Sequence, residues 1–255
     1  MKLGRYRGAL IPLVLIVLWE LGAATGVLPP DTMSRPSEIV VAGWDALLDG
    51  SLLLATAQTF QTALIGLALG SCIGMVIGIF VGLSPILEGI IGPTLDTVRP
   101  IPAVALIPLA LLIYGFGVRM EVLVITYATV WPVLIVTISA VRGIEPRLLE
   151  VAQTLEMPTF SRMRRIVLPA ALARIAVGIR VSAGVALVVA VTVEIVLNPQ
   201  GLGYGMIIAA QSLRPELMWA ELLWVGFAGW AFNTLLSLID RRWLRRYQPG
   251  GAEGR

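Results

Sequence analysis

"EPRLLEVAQTLEMP", residues 145–158, is a polar, charge-bearing segment set between two long apolar runs. Leu148, Val151, Ala152 and Leu155 recur at helical spacing, with Glu145, Arg147, Glu150, Gln153 and Glu156 largely on the other faces. Pro146 suits a first helical turn and Pro158 stops a helix, so the pattern predicts a short amphipathic helix over 145–158. A helix this short is not stable alone and needs a surface to dock on. Lipid headgroups are one such surface, although the acidic face argues against anionic lipid.

The flanking sequence says what kind of protein carries this helix. Of 255 residues, 57% are hydrophobic and only 14% are charged, with a mean hydropathy of +0.87. A soluble domain carries roughly a quarter charged residues, so the composition indicates an all-α integral membrane protein. A span needs about 20 predominantly apolar residues. Runs at 9–28, 60–83, 101–116, 121–141, 172–197 and 220–239 meet or approach that length, giving about six transmembrane helices. The third is short and carries Pro108, and without it the count is five. The opening "MKLGRYRG" has the form of a signal-peptide start, but an uncleaved first helix suffices when so many spans follow.

Basic residues set the expected sidedness. Lys2, Arg5 and Arg7 precede the first run; Arg142, Arg147, Arg162, Arg164 and Arg165 lie between the fourth and fifth; Arg241, Arg242, Arg245 and Arg246 follow the last. The opposite segments carry only Arg35, Arg119 and Arg214, and residues 29–57 are acidic through Asp31, Glu38, Asp45 and Asp49. The positive-inside rule then puts both termini and 142–169 in the cytoplasm. Cations at the ends of apolar runs are topology signals and not a nucleic-acid footprint.

What is missing restricts the chemistry. The chain has no histidine, one cysteine (Cys72) and one lysine (Lys2). No His/Cys metal site, histidine triad or intrachain disulfide framework can be built from these residues. Nor can a phosphate loop ending in Gly-Lys-Ser/Thr, so any ATP is bound by another chain.

Within the runs two patterns stand out. In "IGLALGSCIGMVIGIFVG" (65–82), Gly66, Gly70, Gly74, Gly78 and Gly82 recur every four residues and form a slowly winding groove. It serves either a tightly packed helix pair or the lining of a transport path. Ionisable residues inside a span are costly and functional suspects. Arg180 and Glu194 lie in the fifth run, on a similar side and roughly 21 Å apart along the helix, and Arg99 precedes the Pro100/Pro102 break. Each either ties helices together or contacts a solute.

Glu150, Ala152, Ile166, Leu168 and Pro169 match the pattern Glu-Ala-Ala, three residues, Gly, nine residues, Ile-x-Leu-Pro, with Val151 and Glu156 as the two departures. That pattern marks the membrane subunits of bacterial ATP-binding-cassette importers. "VRPIPAVALIPLALLIYGFG" (98–117), "GIRVSAGVALVVAVTVEIV" (178–196) and "GLGYG" (201–205) resemble the nitrate/sulfonate/taurine branch. The resemblance covers nearly the whole chain. It implies a type I importer permease fold, with residues 1–55 as first transmembrane helix and external loop, 56–240 as permease core and 241–255 as a cytoplasmic basic tail. It also implies that 145–158 is a coupling helix, with Glu150, Val151, Ala152, Leu155 and Glu156 meeting the ATPase. Arg99, Arg180 and Glu194 then become candidates for the translocation path. The implied partners are cytoplasmic ATPase subunits that bind ATP and Mg, an extracytoplasmic solute-binding protein, and a second permease copy in a homodimer, all at the bacterial inner membrane. The implied solute is a small anion such as a sulfonate, taurine or nitrate, although the branch also serves uncharged and aromatic nutrients. An ion-coupled secondary transporter using Glu194 is the rival reading. It predicts inverted repeats, and none is visible. An intramembrane enzyme lacks the residues for it.

Overall fold

The computed structural model describes residues 4–29 and 32–244, and among these there is no strand. The helices are α1 (Gly4–Ala24), α2 (Pro36–Leu48), α3 (Ser51–Leu83), α4 (Pro85–Val98), α5 (Ile107–Tyr114), α6 (Val118–Arg142), α7 (Pro146–Thr154), α8 (Thr159–Arg162), α9 (Leu168–Val196), α10 (Gly201–Gln211) and α11 (Pro215–Leu244). Proline opens many of them. Pro36, Pro85, Pro146 and Pro215 stand at first positions, where a missing N–H costs nothing.

Helices α3, α6 and α11 are long and apolar enough to cross a membrane, and so is the stretch Met163–Gln211, in which residues 197–200 separate α9 from α10. The short third run, 101–116, is not a single straight helix. Pro100 and Pro102 stop α4, and the chain restarts as a 3₁₀ turn (Ala103–Leu106) running into α5, bent by 83° from α4. Residues 103–114 alone are too short to cross about 30 Å of hydrocarbon. The count reaches six only with this bent pair taken as one span and with α1, whose apolar part is Leu10–Ala24. Two further helices, α2 and α4, stand where the sequence reading placed only connecting segments. The expected tail at 241–255 begins inside α11, and residues 245–255 lie outside the described residues.

Two compact units form, and they do not follow chain order. One comprises residues 1–59 with 199–228. Here the Glu20 carboxylate of α1 accepts hydrogen bonds from the Ser37 backbone N–H (3.0 Å) and hydroxyl (2.8 Å) of α2. Glu20 thus binds two helices together. The first N–H groups of α10 are satisfied by α3: Gly201 donates to the Gln58 side chain (3.0 Å) and Leu202 to the Thr59 hydroxyl (3.0 Å). Ala46, Leu52 and Leu202 form its core, with Trp224 against them. Asp49, between α2 and α3, accepts from the Ser51 N–H at 2.8 Å, and Ser51 holds its carboxyl below the usual carboxylate range.

The other unit comprises residues 60–198 with 229–255. Its centre is the pair α6 and α9, packed along much of their length. Val133, Ala140, Val141, Ala171, Ile175, Ala186 and Ala190 are all buried. Against this pair lies the glycine face of α3. A Cβ on Gly66 would fall 2.5 Å from Ile125, on Gly74 2.7 Å from the Val130 carbonyl oxygen, on Gly78 2.7 Å from Thr137, and on Gly82 2.9 Å from Val141. Gly70 faces Thr129 and the Thr126 carbonyl in the same way. All five glycines therefore face α6. The closeness also allows an interhelical hydrogen bond, with the Thr129 hydroxyl 3.2 Å from the Gly66 carbonyl. In lipid such pairs are held by van der Waals packing and hydrogen bonds, because lipid tails are as apolar as leucine.

Candidate functional site

The amphipathic helix forms as α7 and stops four residues before Pro158. Its end explains the substitution at position 156. Glu156 N–H donates to the Gln153 carbonyl (2.9 Å) and Met157 N–H to the Ala152 carbonyl (3.0 Å), the paired bonds of a Schellman turn. The residue at C′ of that turn takes a left-handed conformation, and Glu156 does so at φ 47°. A non-glycine residue there costs about 1–2 kcal/mol in the folded state. The turn therefore survives without the motif glycine, at the expense of local strain. Glu156→Gly is accordingly expected to be neutral or to stabilise by up to about 1 kcal/mol, read as a higher unfolding temperature in detergent. A destabilised variant would show that the Glu156 side chain has a role of its own.

The faces of α7 separate by exposure. Ala152 is buried (1% exposed) and anchors the helix to its own chain. Leu148, Val151 and Leu155 are 44%, 53% and 67% exposed, an apolar edge that no described residue covers. Glu150 and Glu156 are also exposed. Beyond the turn, Met163–Val167 forms a π-helical stretch running without a break into α9. Val167 of this stretch is fully buried with Ile144, Ala171 and Ile175, and Leu168 packs on the same cluster. Ile166 is half-buried, while Pro169 sits exposed in the first turn of α9. Of the matched motif, Glu150 and Pro169 are therefore exposed, Ala152 is buried, and Ile166 and Leu168 are half-buried.

The three path candidates are not brought into one site. Arg99 is exposed at the C-cap of α4. Arg180 is half-buried in mid-α9, and Glu194 is buried (1% exposed) near its end. Both Arg180 and Glu194 are engaged by other groups.

Sequence reasoning missed a buried polar knot at the start of α6. Glu121 is fully buried; it accepts from the Thr62 hydroxyl of α3 (2.6 Å) and from the Asn198 amide just after α9 (2.7 Å). Asn198 in turn accepts from the Gly117 N–H (2.9 Å), the residue that caps α6. The available signal was a carboxylate at the very start of an apolar run, read as a boundary because it stood at the edge. Among the described residues no cluster of acidic or cysteine side chains could hold a metal.

The chain is thus a helical protein with several membrane-spanning candidates and one amphipathic helix whose apolar edge is exposed. The chain belongs to the binding-protein-dependent transport system inner membrane component family, whose model matches residues 70–248. Its relatives include ABC transporter permeases named for sulfonate and taurine transport. It is 30% identical over 244 residues to a Bacillus subtilis protein named as an aliphatic sulfonates transport permease, covering 96% of this chain and 88% of that one. It is 25% identical to the taurine transport system permease protein of Escherichia coli K12, over 90% of this chain and 85% of that one. Inward-facing structures of the MetNI methionine ABC transporter share the fold. One has a TM-score of 0.61 at 16% identity, covering 77% of this chain and 94% of that chain. A second has a TM-score of 0.59 at 18% identity, covering 85% and 100%.

Proposed function

We propose that the chain is the permease subunit of an ATP-driven importer, with α7 as its coupling helix. The observation that carries this reading is the exposed apolar edge of Leu148, Val151 and Leu155 on a helix anchored through Ala152. We assign that edge to a cytoplasmic ATPase subunit. Membership in a binding-protein-dependent transport family supports an energy-coupled partner, and the chain's lone lysine, Lys2, leaves it no phosphate loop of its own. ATP and Mg then belong to that partner. The arginine distribution supports cytoplasmic termini and a cytoplasmic α7 in a bacterial inner membrane.

The working assembly is two permease copies, two ATPase subunits and an extracytoplasmic binding protein. Closure of the ATPase pair on ATP draws on both α7 helices and turns the path outward. The binding protein releases its solute there, and hydrolysis resets the path. The solute is a small organosulfonate, a choice supported by the names of the relatives.

The test is copurification with the ATPase encoded beside the permease. Leu155→Asp should abolish association, because it places a charge in an apolar contact. Glu150→Ala should weaken stimulated hydrolysis, since truncating such a contact costs about 1–3 kcal/mol. Full stimulation in Leu155→Asp would overturn the assignment. Sidedness is read separately in a Cys72→Ser background, where Asp45→Cys should label from outside and Phe160→Cys should not.

A further inference from the structure

A cavity of about 360 Å³ runs along the seam of α6 and α9, lined by Ile135, Val136 and Ser139 of one helix and Arg174 and Val177 of the other. Its polarity is graded along the helices. Ser139 and Arg174 stand at the end that leads to α7, one turn short of the α6 C-cap and nearly two turns into α9. Ile135 and Val177 lie about one turn deeper and are 38% and 54% exposed. Val181, a further turn along α9, continues that exposed apolar face. The guanidinium is placed but not neutralised. A Cβ on Gly143 would collide with it, so the glycine that caps α6 makes room for Arg174. Arg174 is exposed, and it has no ion pair or hydrogen bond among the described residues. The Glu88 carboxylate is already paired with Arg142.

Both helices are long and apolar enough to cross a membrane. A cation without a counter-ion at the mouth of an apolar groove defines its complement, an anion that carries a hydrocarbon tail. We propose that the α6–α9 seam binds an anionic phospholipid. The phosphodiester sits on Arg174 and the Ser139 hydroxyl, and one acyl chain lies against Ile135, Val136 and Val177. A guanidinium fork matches phosphate oxygens, and basic pockets between membrane helices on the cytoplasmic side suit such headgroups. The leaflet rests on the sidedness proposed above, whereas the binding requires neither that sidedness nor a coupling role for α7. A lipid so held braces the ends of α6 and α9 that flank α7, which makes the anionic content of the membrane an input to that region. Two other roles for Arg174 compete, complementing the carbonyl end of α6 or snorkelling to bulk headgroups. Neither uses the groove.

The test is native mass spectrometry of the full-length chain, titrated with dioleoylphosphatidylglycerol or dioleoylphosphatidylcholine, which share their chains and differ in headgroup charge. The first phosphatidylglycerol should bind about tenfold more tightly, the worth of one charge-assisted hydrogen bond. Arg174→Gln should erase that preference, and Arg174→Lys should keep part of it. Val177→Phe fills the groove without touching the charge and should weaken both lipids severalfold. Arg164→Gln, at an exposed cation outside the groove, is the control and should leave the preference intact. Glycerol 1-phosphate, a headgroup without chains, should not displace the bound lipid. Displacement by it, an unchanged preference in Arg174→Gln, or full binding by Val177→Phe would overturn the inference. So would a disulfide between two copies carrying Val177→Cys in a Cys72→Ser background, because a second copy would then cover the groove. Labelling of Phe160→Cys from outside would overturn the leaflet and the sidedness beneath it, while the binding measurements would still decide the site.

Discussion

Replacing Gly74 with alanine should lower stability by about 2–3 kcal/mol, a large effect for one methyl group. The added carbon would lie 2.7 Å from the Val130 carbonyl oxygen, 3.1 Å from the Leu134 nitrogen and 3.2 Å from the Val133 Cβ. Two of these atoms are backbone and the third belongs to a buried, β-branched side chain, so none can swing aside. Helices α3 and α6 must part instead. Parting loosens contacts along the whole glycine face, including the Thr129 to Gly66 hydrogen bond. Gly184→Ala and Gly226→Ala are the controls, since a Cβ there meets nothing within 4 Å. They should be neutral or stabilising, because alanine is the better helix former by about 0.5–1 kcal/mol. Unfolding temperature in detergent separates the three. If Gly74→Ala behaves like Gly184→Ala, the close approach of the two helices is not what holds them.

The second large effect is expected at Glu121. Glu121→Ala removes the acceptor of two buried donors, the Thr62 hydroxyl and the Asn198 amide. A buried donor deprived of its acceptor costs about 1–3 kcal/mol, so the variant should lose about 3–5 kcal/mol. The damage should spread to the turn before α6, because Asn198 also holds the Gly117 N–H. Glu121→Gln retains shape and one acceptor oxygen and should fall between the variant and the native chain. In a double-mutant cycle with Thr62→Val, the two changes should be strongly non-additive. Additive losses would mean that the Thr62 and Glu121 side chains stabilise the protein independently.

The sequence displayed some of these features and hid others for physical reasons. Helix periodicity, two prolines and alternating charge made α7 visible, because an amphipathic helix declares itself within its own residues. The glycine repeat also declared itself, but its partner did not. That Gly66 to Gly82 meet α6 depends on which helix folds back beside α3, and no local pattern carries that information. The bend at 99–102 was half visible: its prolines were noted, yet the apolar run continued across them and so passed for one span. Helix α2 hid for the opposite reason. Its acidic residues suggested a loop, although Pro36 followed by Glu38, which accepts from the Arg35 N–H at 3.1 Å, is a helix start. Glu121 and Asn198 are 77 positions apart, and only the return of α9 beside α6 brings them together.

The fit of α3, α6 and α9 also has a mechanical meaning. A bundle in which side chains act as spacers has slack, because long side chains can change rotamer and absorb a displacement. Here backbone lies against backbone along α3 and α6, and Gly178 of α9 leaves room only for Val136 of α6. A close-packed interior has low compressibility and transmits strain. Val167 at the foot of α9 and Ile144 at the foot of α6 share one cluster, close to α7 in sequence. Under the proposed coupling role, a load at α7 would enter two stiff members at their base with little backlash. Such a frame moves as a piece or not at all. The 83° proline break beside Arg99 is a natural place for such a frame to yield, and the stroke should be measured there.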